Sequence, residues 1–435
     1  MTDAAKPGQV LASPASGAFV TSAFAAGSAP LARLRGFHPG WFGAVMGTAI
    51  IAVAASMNPG GWSGLAGPLH HLAQVMAVLA AALAVVLGVP YVGRWFRHPD
   101  AALADLRDPE AGALYGTLPG GFLVLAATAA AVGPSLISPG ALRALVAALA
   151  WVGVPLAFGV SVLFAYQLFV RSEVAEETVN GGWFIPPVVN IVVPMVLLPL
   201  VPGSSGATAR LLLMGSYLFW GMGFVLYLLV VSMLHHRLVV HPLPSAALAP
   251  SLWIGLGPIG VGAVTLVKMA AATTPVFGAQ AKAVETLSLL AATALWGFGV
   301  WWLAAAVVLL VGYLRRGRLP WSLGWWGFTF PLGAFTVATL TLARGWHTSL
   351  LEWAGAALFA LLVLFWLVVT GRTAWAVRSG EAWGTPTPRS VGLAGGGSAP
   401  DRTPARRILR WAATEEGREP GGSPEVREPR EEHIS

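Results

Sequence analysis

Cysteine is absent from all 435 residues. The chain therefore has no disulfide, no thiolate metal site and no cysteine nucleophile. Charge is also scarce: Asp, Glu, Lys and Arg make up 10% of the residues, against about 25% in a soluble domain. Acids are missing where they would matter most. The middle of every long apolar run lacks Asp and Glu, and only Glu285 and Glu352 lie inside a run, each within a turn of its start. A bundle without a buried carboxylate offers no obvious proton relay or cation site. The longest glycine run, Gly395-Gly396-Gly397, lacks a following Lys-Ser/Thr, which excludes a nucleotide-binding loop there.

What is present is apolar surface, with 56% hydrophobic residues and a mean hydropathy of +0.70. Ten stretches are long enough to cross a hydrocarbon layer of about 30 Å. They run Gly40–Met57, Leu69–Phe96, Gly120–Ile137, Leu142–Val170, Phe184–Val201, Thr208–Leu234, Pro250–Met269, Ala283–Leu314, Trp325–Ala343 and Leu350–Thr370. The fold class is all-α integral membrane, with a disordered leader over 1–36, a transmembrane domain over 37–372 and a disordered tail over 380–435. The leader has no basic start followed by a continuous apolar core, so no cleavable signal peptide is read there.

The net charge of +7 is scattered over short loops and the tail, which reports topology rather than nucleic-acid binding. One side carries Arg94, Arg97, Arg107, Arg171, Arg237, Arg315, Arg316 and Arg318, the other Arg143, Arg210, Lys268, Lys282 and Arg344. Lys6, Arg33, Arg35 and every arginine after Thr370 join the first group. By the positive-inside rule both termini are cytoplasmic, in a multi-pass protein of the plasma membrane.

The even-numbered spans are longer and uniformly rich in Leu, Val and Ala; the odd ones are shorter and hold more Gly, Pro and Thr. Helix breaks fall mainly in the odd spans: Gly133-Pro134, then Pro186, Pro187 and Pro194, then Gly257-Pro258, then Pro331. The first span has Gly43 and Gly47 instead, and Pro155 is the clear mid-span exception among the even ones. A lipid-facing helix gains nothing from losing a backbone hydrogen bond, so breaks belong where protein or a wet cavity covers them. The alternation predicts five inner helices ringed by five outer ones, with Gly47, Pro134, Pro187, Pro194, Pro258 and Pro331 on a central pore. A half-helix N-terminus inside the membrane would offer free N–H groups and a positive dipole end to an anion.

Other intramembrane polar groups are few. Asn190, Thr48, Thr128, Thr329, Thr336 and Thr339 are candidate donors to an anion, and equally candidates for helix–helix hydrogen bonds. Lys268 either draws anions to the outer mouth or snorkels to the headgroups. No histidine has a carboxylate or His partner at ligand spacing, so neither a metal nor another cofactor is expected. An enzyme at the cytoplasmic interface is the competing class. It would have to recruit the loop acids Asp100, Asp105, Asp108, Glu110, Glu173, Glu176 and Glu177.

Three blocks carry a family resemblance. Phe37-His38-Pro39-Gly40-Trp41-Phe42, followed by Val45-Met46-Gly47-Thr48, resembles the opening of the tellurite-resistance/dicarboxylate transporter family. That group includes fungal malate permease and sulfite exporters, bacterial tellurite-resistance proteins and plant slow anion channels. Pro250-Ser251-Leu252-Trp253-Ile254-Gly255-Leu256-Gly257-Pro258-Ile259-Gly260 is similar to its seventh span, and Trp325-Trp326-Gly327-Phe328-Thr329-Phe330-Pro331-Leu332-Gly333 to its ninth. The resemblance covers about Phe37 to Thr370. It implies a homotrimer in which each protomer is a quasi-five-fold ring of helical hairpins around its own pore. It also implies a plugging phenylalanine on the ninth span, which falls on Phe330, with Phe328 next and Phe335 third. The partners so implied are the lipid bilayer and a small anion, a C4-dicarboxylate such as malate or sulfite. The first block departs from the malate and sulfite branch in carrying Thr48 where a second glycine is usual.

Overall fold

The computed structural model describes residues 33–171 and 174–383. Ten helical spans occupy most of them: α1 (Pro39–Ser56), α2 (Ser63–Arg97), α3 (Gly112–Ser135), α4 (Pro139–Phe169), α5 (Gly181–Leu200), α6 (Gly206–Val240), α7 (Ala246–Ala271), α8 (Gly278–Arg316), α9 (Leu323–Trp346) and α10 (Ser349–Ser379). Among the described residues every regular element is helical.

The parity seen in the sequence is a burial pattern. In the apolar stretch of each odd span 67–89% of the residues are buried, against 17–28% in the even spans. The even spans are apolar all round and face outward, as a lipid-solvated helix must. They run 31–39 residues, or about 45–60 Å at 1.5 Å per residue, so their ends outreach a ~30 Å hydrocarbon layer.

Each odd span packs on the even span that follows it. The odd spans also touch one another in order: α1 on α3, α3 on α5, α5 on α7, α7 on α9, and α9 back on α1. Glycines set the closest of these approaches. A Cβ on Gly260 of α7 would fall 2.4 Å from the carbonyl carbon of Ala334 in α9. One on Gly47 of α1 would fall 2.1 Å from Thr329 Oγ1. The Thr48 hydroxyl beside it accepts from Trp366 Nε1 of α10 at 3.0 Å.

Loop contacts define two ends of the bundle. At the end where the odd spans begin, buried Arg94 binds the carbonyls of Arg35 and Phe37 and the Asp105 carboxylate. There too Arg171 donates to the Arg107 carbonyl and His241 meets Glu176. At the opposite end Arg143 binds the carbonyls of Leu200 and Pro202, and Arg344 that of Met57.

Several boundaries differ from the sequence reading: α2 begins at Ser63, α3 at Gly112 and α8 at Gly278, and α6 runs on to Val240. Helix α10 continues past Thr370 to Ser379, because Arg372 lies over the rings of Trp325 and Trp375, 5.8 and 4.7 Å from their centroids. The stretch beyond it returns to the bundle, where Trp383 stacks on Trp41 with centroids 5.7 Å apart. Residues 33–35, assigned to the disordered leader, are helical; the rest of the leader and the tail beyond Trp383 lie outside the described residues.

Candidate functional site

Most interruptions in the odd spans are changes of helix type; the exceptions are Gly133-Pro134, which ends α3, and α5, whose helix breaks again at Val193 ahead of Pro194. Each odd span opens with a 3₁₀ segment and changes to α-helix partway along. The 3₁₀ segments are Pro39–Trp41, Gly112–Gly116, Gly181–Phe184, Ala246–Gly255 and Leu323–Phe328. The α segments that follow begin at Phe42, Thr117, Ile185, Leu256 and Phe330. Pro119, Pro186, Pro187, Pro258 and Pro331 all lie in the first turn of such an α segment. Proline is suited to that turn, since its fixed φ is helical and its missing N–H had no i−4 partner to lose.

This corrects the expectation of free backbone donors. At the changeover the N–H of Phe42 bonds the carbonyls of Pro39 and Gly40, that of Thr117 bonds Leu114 and Tyr115, and that of Leu256 bonds Trp253 and Ile254. Ile185 N–H bonds Gly182 and Thr329 N–H bonds Trp326. The tighter 3₁₀ turn consumes donors that an isolated half-helix would leave open. Because the peptide units stay aligned through the 3₁₀ segment, the positive part of each dipole belongs to the N-terminal part of the span, ahead of the changeover.

Two cavities lie among the odd spans. The first, about 50 Å³, is lined from all five: by Gly43 and Met46 of α1, Leu114 and Thr117 of α3, Ile185 and Val188 of α5, Ile254 and Gly257 of α7, and Trp326, Gly327, Phe330 and Pro331 of α9. It sits where the α segments start, in the N-terminal part of each odd span. The second, about 30 Å³, is lined farther along the same spans by Ile50, Val53, Val124, Ala127, Val192, Met195, Val261, Val264, Phe330, Ala334 and Val337. Either has room for a few waters. No charged side chain lines them. Phe330 is the one residue common to both linings.

The three candidate phenylalanines therefore separate. Phe328 is wedged among Trp253, Phe365 and Trp325, with centroids 5.6, 5.5 and 6.2 Å away. Phe335 stacks flat on Trp296 at 6.0 Å. Both line neither cavity. Phe330 makes no ring pair among the described residues and lies 3.8 Å from where a Gly257 Cβ would sit.

Of the residues expected on a pore, Pro331 borders the first cavity, while Gly47, Pro134, Pro187, Asn190, Pro194 and Pro258 border neither. Pro134 is exposed in the 3₁₀ turn that ends α3, where Gly133-Pro134 stops the helix instead of breaking it. Gly47 serves the close contact of α1 with α9. Asn190 is fully buried but turned to the outer layer: its Nδ2 donates to Ser161 Oγ of α4 at 2.6 Å and to the Pro186 carbonyl at 2.8 Å. The hydroxyls of Thr128, Thr329, Thr336 and Thr339 each donate to a backbone carbonyl within hydrogen-bond distance on their own helix. Lys268 is exposed near the end of α7, apart from both cavities. The residue that sequence reasoning missed is Trp326. It lines the first cavity and its indole N–H has no acceptor among the described residues.

Five of the loop acids weighed for an enzyme have structural partners among the described residues. Asp100 pairs with Arg35 and Asp105 with Arg94. The Asp108 carboxylate caps the N–H groups of Glu110 and Ala111. Glu176 meets His241 at 2.7 Å and His236 at 3.6 Å, and Glu177 meets His241 at 3.2 Å. The hydrogen bond from His241 holds the Glu176 carboxyl below its usual range. His38, at the mouth before α1, is pushed down to about 4, chiefly by burial.

Comparison with known proteins agrees with this geometry. The voltage-dependent anion channel profile matches residues 36–374. An uncharacterized transporter of Methanocaldococcus jannaschii is 33% identical over 351 residues, spanning 80% of this chain and 96% of its own. A sulfite efflux pump of Arthroderma benhamiae is 24% identical over 359 residues, 79% of this chain and 91% of its own. A malic acid transport protein of Schizosaccharomyces pombe is 22% identical over 231 residues, about half of each chain (50% and 52%). These relatives are transporters, and they lend the enzyme alternative no support. The chain belongs to the voltage-dependent anion channel family, a group of membrane proteins that transport anions.

Proposed function

We propose that the protein conducts small anions along the common axis of α1, α3, α5, α7 and α9, and that the Phe330 ring is the gate. The observation that carries this is the position of Phe330 as the shared wall of two otherwise separate cavities. The cyclic order of contacts among the odd spans supports a quasi-five-fold ring of hairpins. An apolar constriction gates by excluding water, so a swing of one aromatic side chain suffices to wet the path.

Selection for anions comes from dipoles rather than charge. The N-terminal, positive parts of five spans surround the first cavity, and no acid lines it. The lining offers no code for one anion, and the named relatives make sulfite and malate the substrates to test. An outward-moving anion gains about 2.3 kcal/mol per charge per 100 mV of inside-negative potential, so export needs no nucleotide. The transport unit over 37–372 sits in the plasma membrane with the Arg94 end and both termini cytoplasmic, as a homotrimer of independent pores.

Reconstitution of the full chain into proteoliposomes tests this. Under an imposed interior-negative potential, sulfite, malate, chloride or nitrate should leave faster than from protein-free vesicles. Flux equal to the protein-free rate for all four would refute the proposal.

A further inference from the structure

A wholly apolar passage ranks anions by the cost of stripping their water, which favours weakly hydrated ions and rejects sulfite or a carboxylate. The first cavity contains one group able to change that ranking. Of the side chains lining it, only Thr117 and Trp326 carry a hydrogen-bond donor. The Thr117 hydroxyl lies 2.6 Å from the Pro39 carbonyl and 2.7 Å from that of Leu114, so its proton is taken. Trp326 is 5% exposed, and its Nε1–H meets no acceptor among the described residues.

Among the buried indoles without an acceptor, Trp326 alone borders a cavity of the odd spans. The indole N–H groups of Trp220, Trp296, Trp302, Trp325, Trp346 and Trp366 all reach an acceptor within 2.8–3.2 Å. Trp183, Trp253 and Trp321 share the lack of a partner, but none of them borders either cavity of the odd spans. A buried N–H without an acceptor is costly, and beside a cavity it is a donor that an ion or water there can use. The Trp326 ring is also held in place. Its Cβ is 3.0 Å from where a Gly43 Cβ would be, and its Cε3 is 3.0 Å from that of Gly47. With the Cε3 edge against α1, the Nε1 edge faces the other way.

Resting on the transport reading, we propose that the Trp326 indole N–H is the donor that receives the permeating anion on the 3₁₀-segment side of Phe330. Its ligand class is a compact, strongly accepting anion: an oxyanion such as sulfite, a carboxylate, or chloride. The N-terminal, positive parts of the five spans supply attraction without direction, and the indole supplies the one directed bond. One hydrogen bond to a charged acceptor is worth about tenfold or more in relative permeability.

The test replaces Trp326 with 3-benzothienylalanine, which keeps the bicyclic shape and exchanges N–H for sulfur, alongside Trp326→Phe. Sulfite and chloride flux are measured against nitrate in the same proteoliposomes. The sulfite-to-nitrate ratio should fall about tenfold in both variants, with nitrate flux retained. Wild-type flux with an unchanged ratio in either folded variant would overturn the donor role and leave transport standing. Absence of flux in the wild type would instead overturn the transport reading itself.

Discussion

Gly260 and Ala334 hold α7 and α9 backbone to backbone. A Cβ on Gly260 would lie 2.4 Å from the Ala334 carbonyl carbon and 2.5 Å from Phe335 N. Backbone atoms cannot rotate aside as a side-chain end can. Gly260→Ala should therefore force the two helices apart and cost about 1–3 kcal/mol, the usual range for overpacking. Thermal unfolding in detergent measures it. Gly297→Ala is the control, because a Cβ there meets nothing within 4 Å.

Arg94 joins the chain before α1 to the short helix Pro99–Arg107 through the Arg35 and Phe37 carbonyls and Asp105. Arg94→Met removes the charge, keeps most of the volume and strands these acceptors. Because the Asp105 side chain is 32% exposed and regains some water, the loss should be about 2–3 kcal/mol, below that for a fully buried pair. Arg94→Lys should recover less than half of it, since an ammonium cannot span all three acceptors.

Asn190 gives a prediction that separates structure from conduction. Asn190→Ala removes its bonds to Ser161 and the Pro186 carbonyl, which should cost about 1–3 kcal/mol of stability. Anion selectivity should stay as in the wild type, because the residue borders neither cavity. A changed sulfite-to-nitrate ratio in this variant would return Asn190 to the permeation path.

His38 makes stability pH-dependent. Its folded pKa of about 4 lies below the ordinary 6.5, so the unfolded chain binds the proton first as pH falls. Stability from this group is complete above pH 6.5 and drains away between 6.5 and 4, by up to about 3 kcal/mol. In His38→Asn, whose amide oxygen can replace Nδ1 as acceptor for the Gly40 N–H, the melting temperature should fall less steeply through that window. An identical slope in both proteins would show that other groups set it.

The outline of this fold was legible in the sequence because the bilayer is a severe solvent. Long apolar runs had to be helices, and the Gly, Pro and Thr gathered in alternate runs had to be covered. What the proline pattern did not show was which end of a helix each proline serves. Pro134 ends one and Pro331 begins one, and both stand beside a glycine or a small-residue stretch. The gate residue had the same ambiguity. Phe328 lies in a 3₁₀ segment and Phe330 in an α segment. The turn per residue changes between them, from about 120° to about 100°, so a face cannot be extrapolated across the junction. The polar residues failed as guides for another reason. Whether Asn190 or Trp326 has a free donor depends on Ser161 and Gly47, far away in the chain.

The central claim, that the Phe330 ring closes the passage, is tested by anion flux through Phe330→Ala in proteoliposomes, beside the wild type and Phe328→Ala. Removing the ring joins the two cavities, so Phe330→Ala should pass nitrate and sulfite at least tenfold faster than the wild type. Phe328→Ala, which opens only an aromatic cluster behind the wall, should gain nothing. Equal flux through Phe330→Ala and the wild type, with both folded, would contradict the gate.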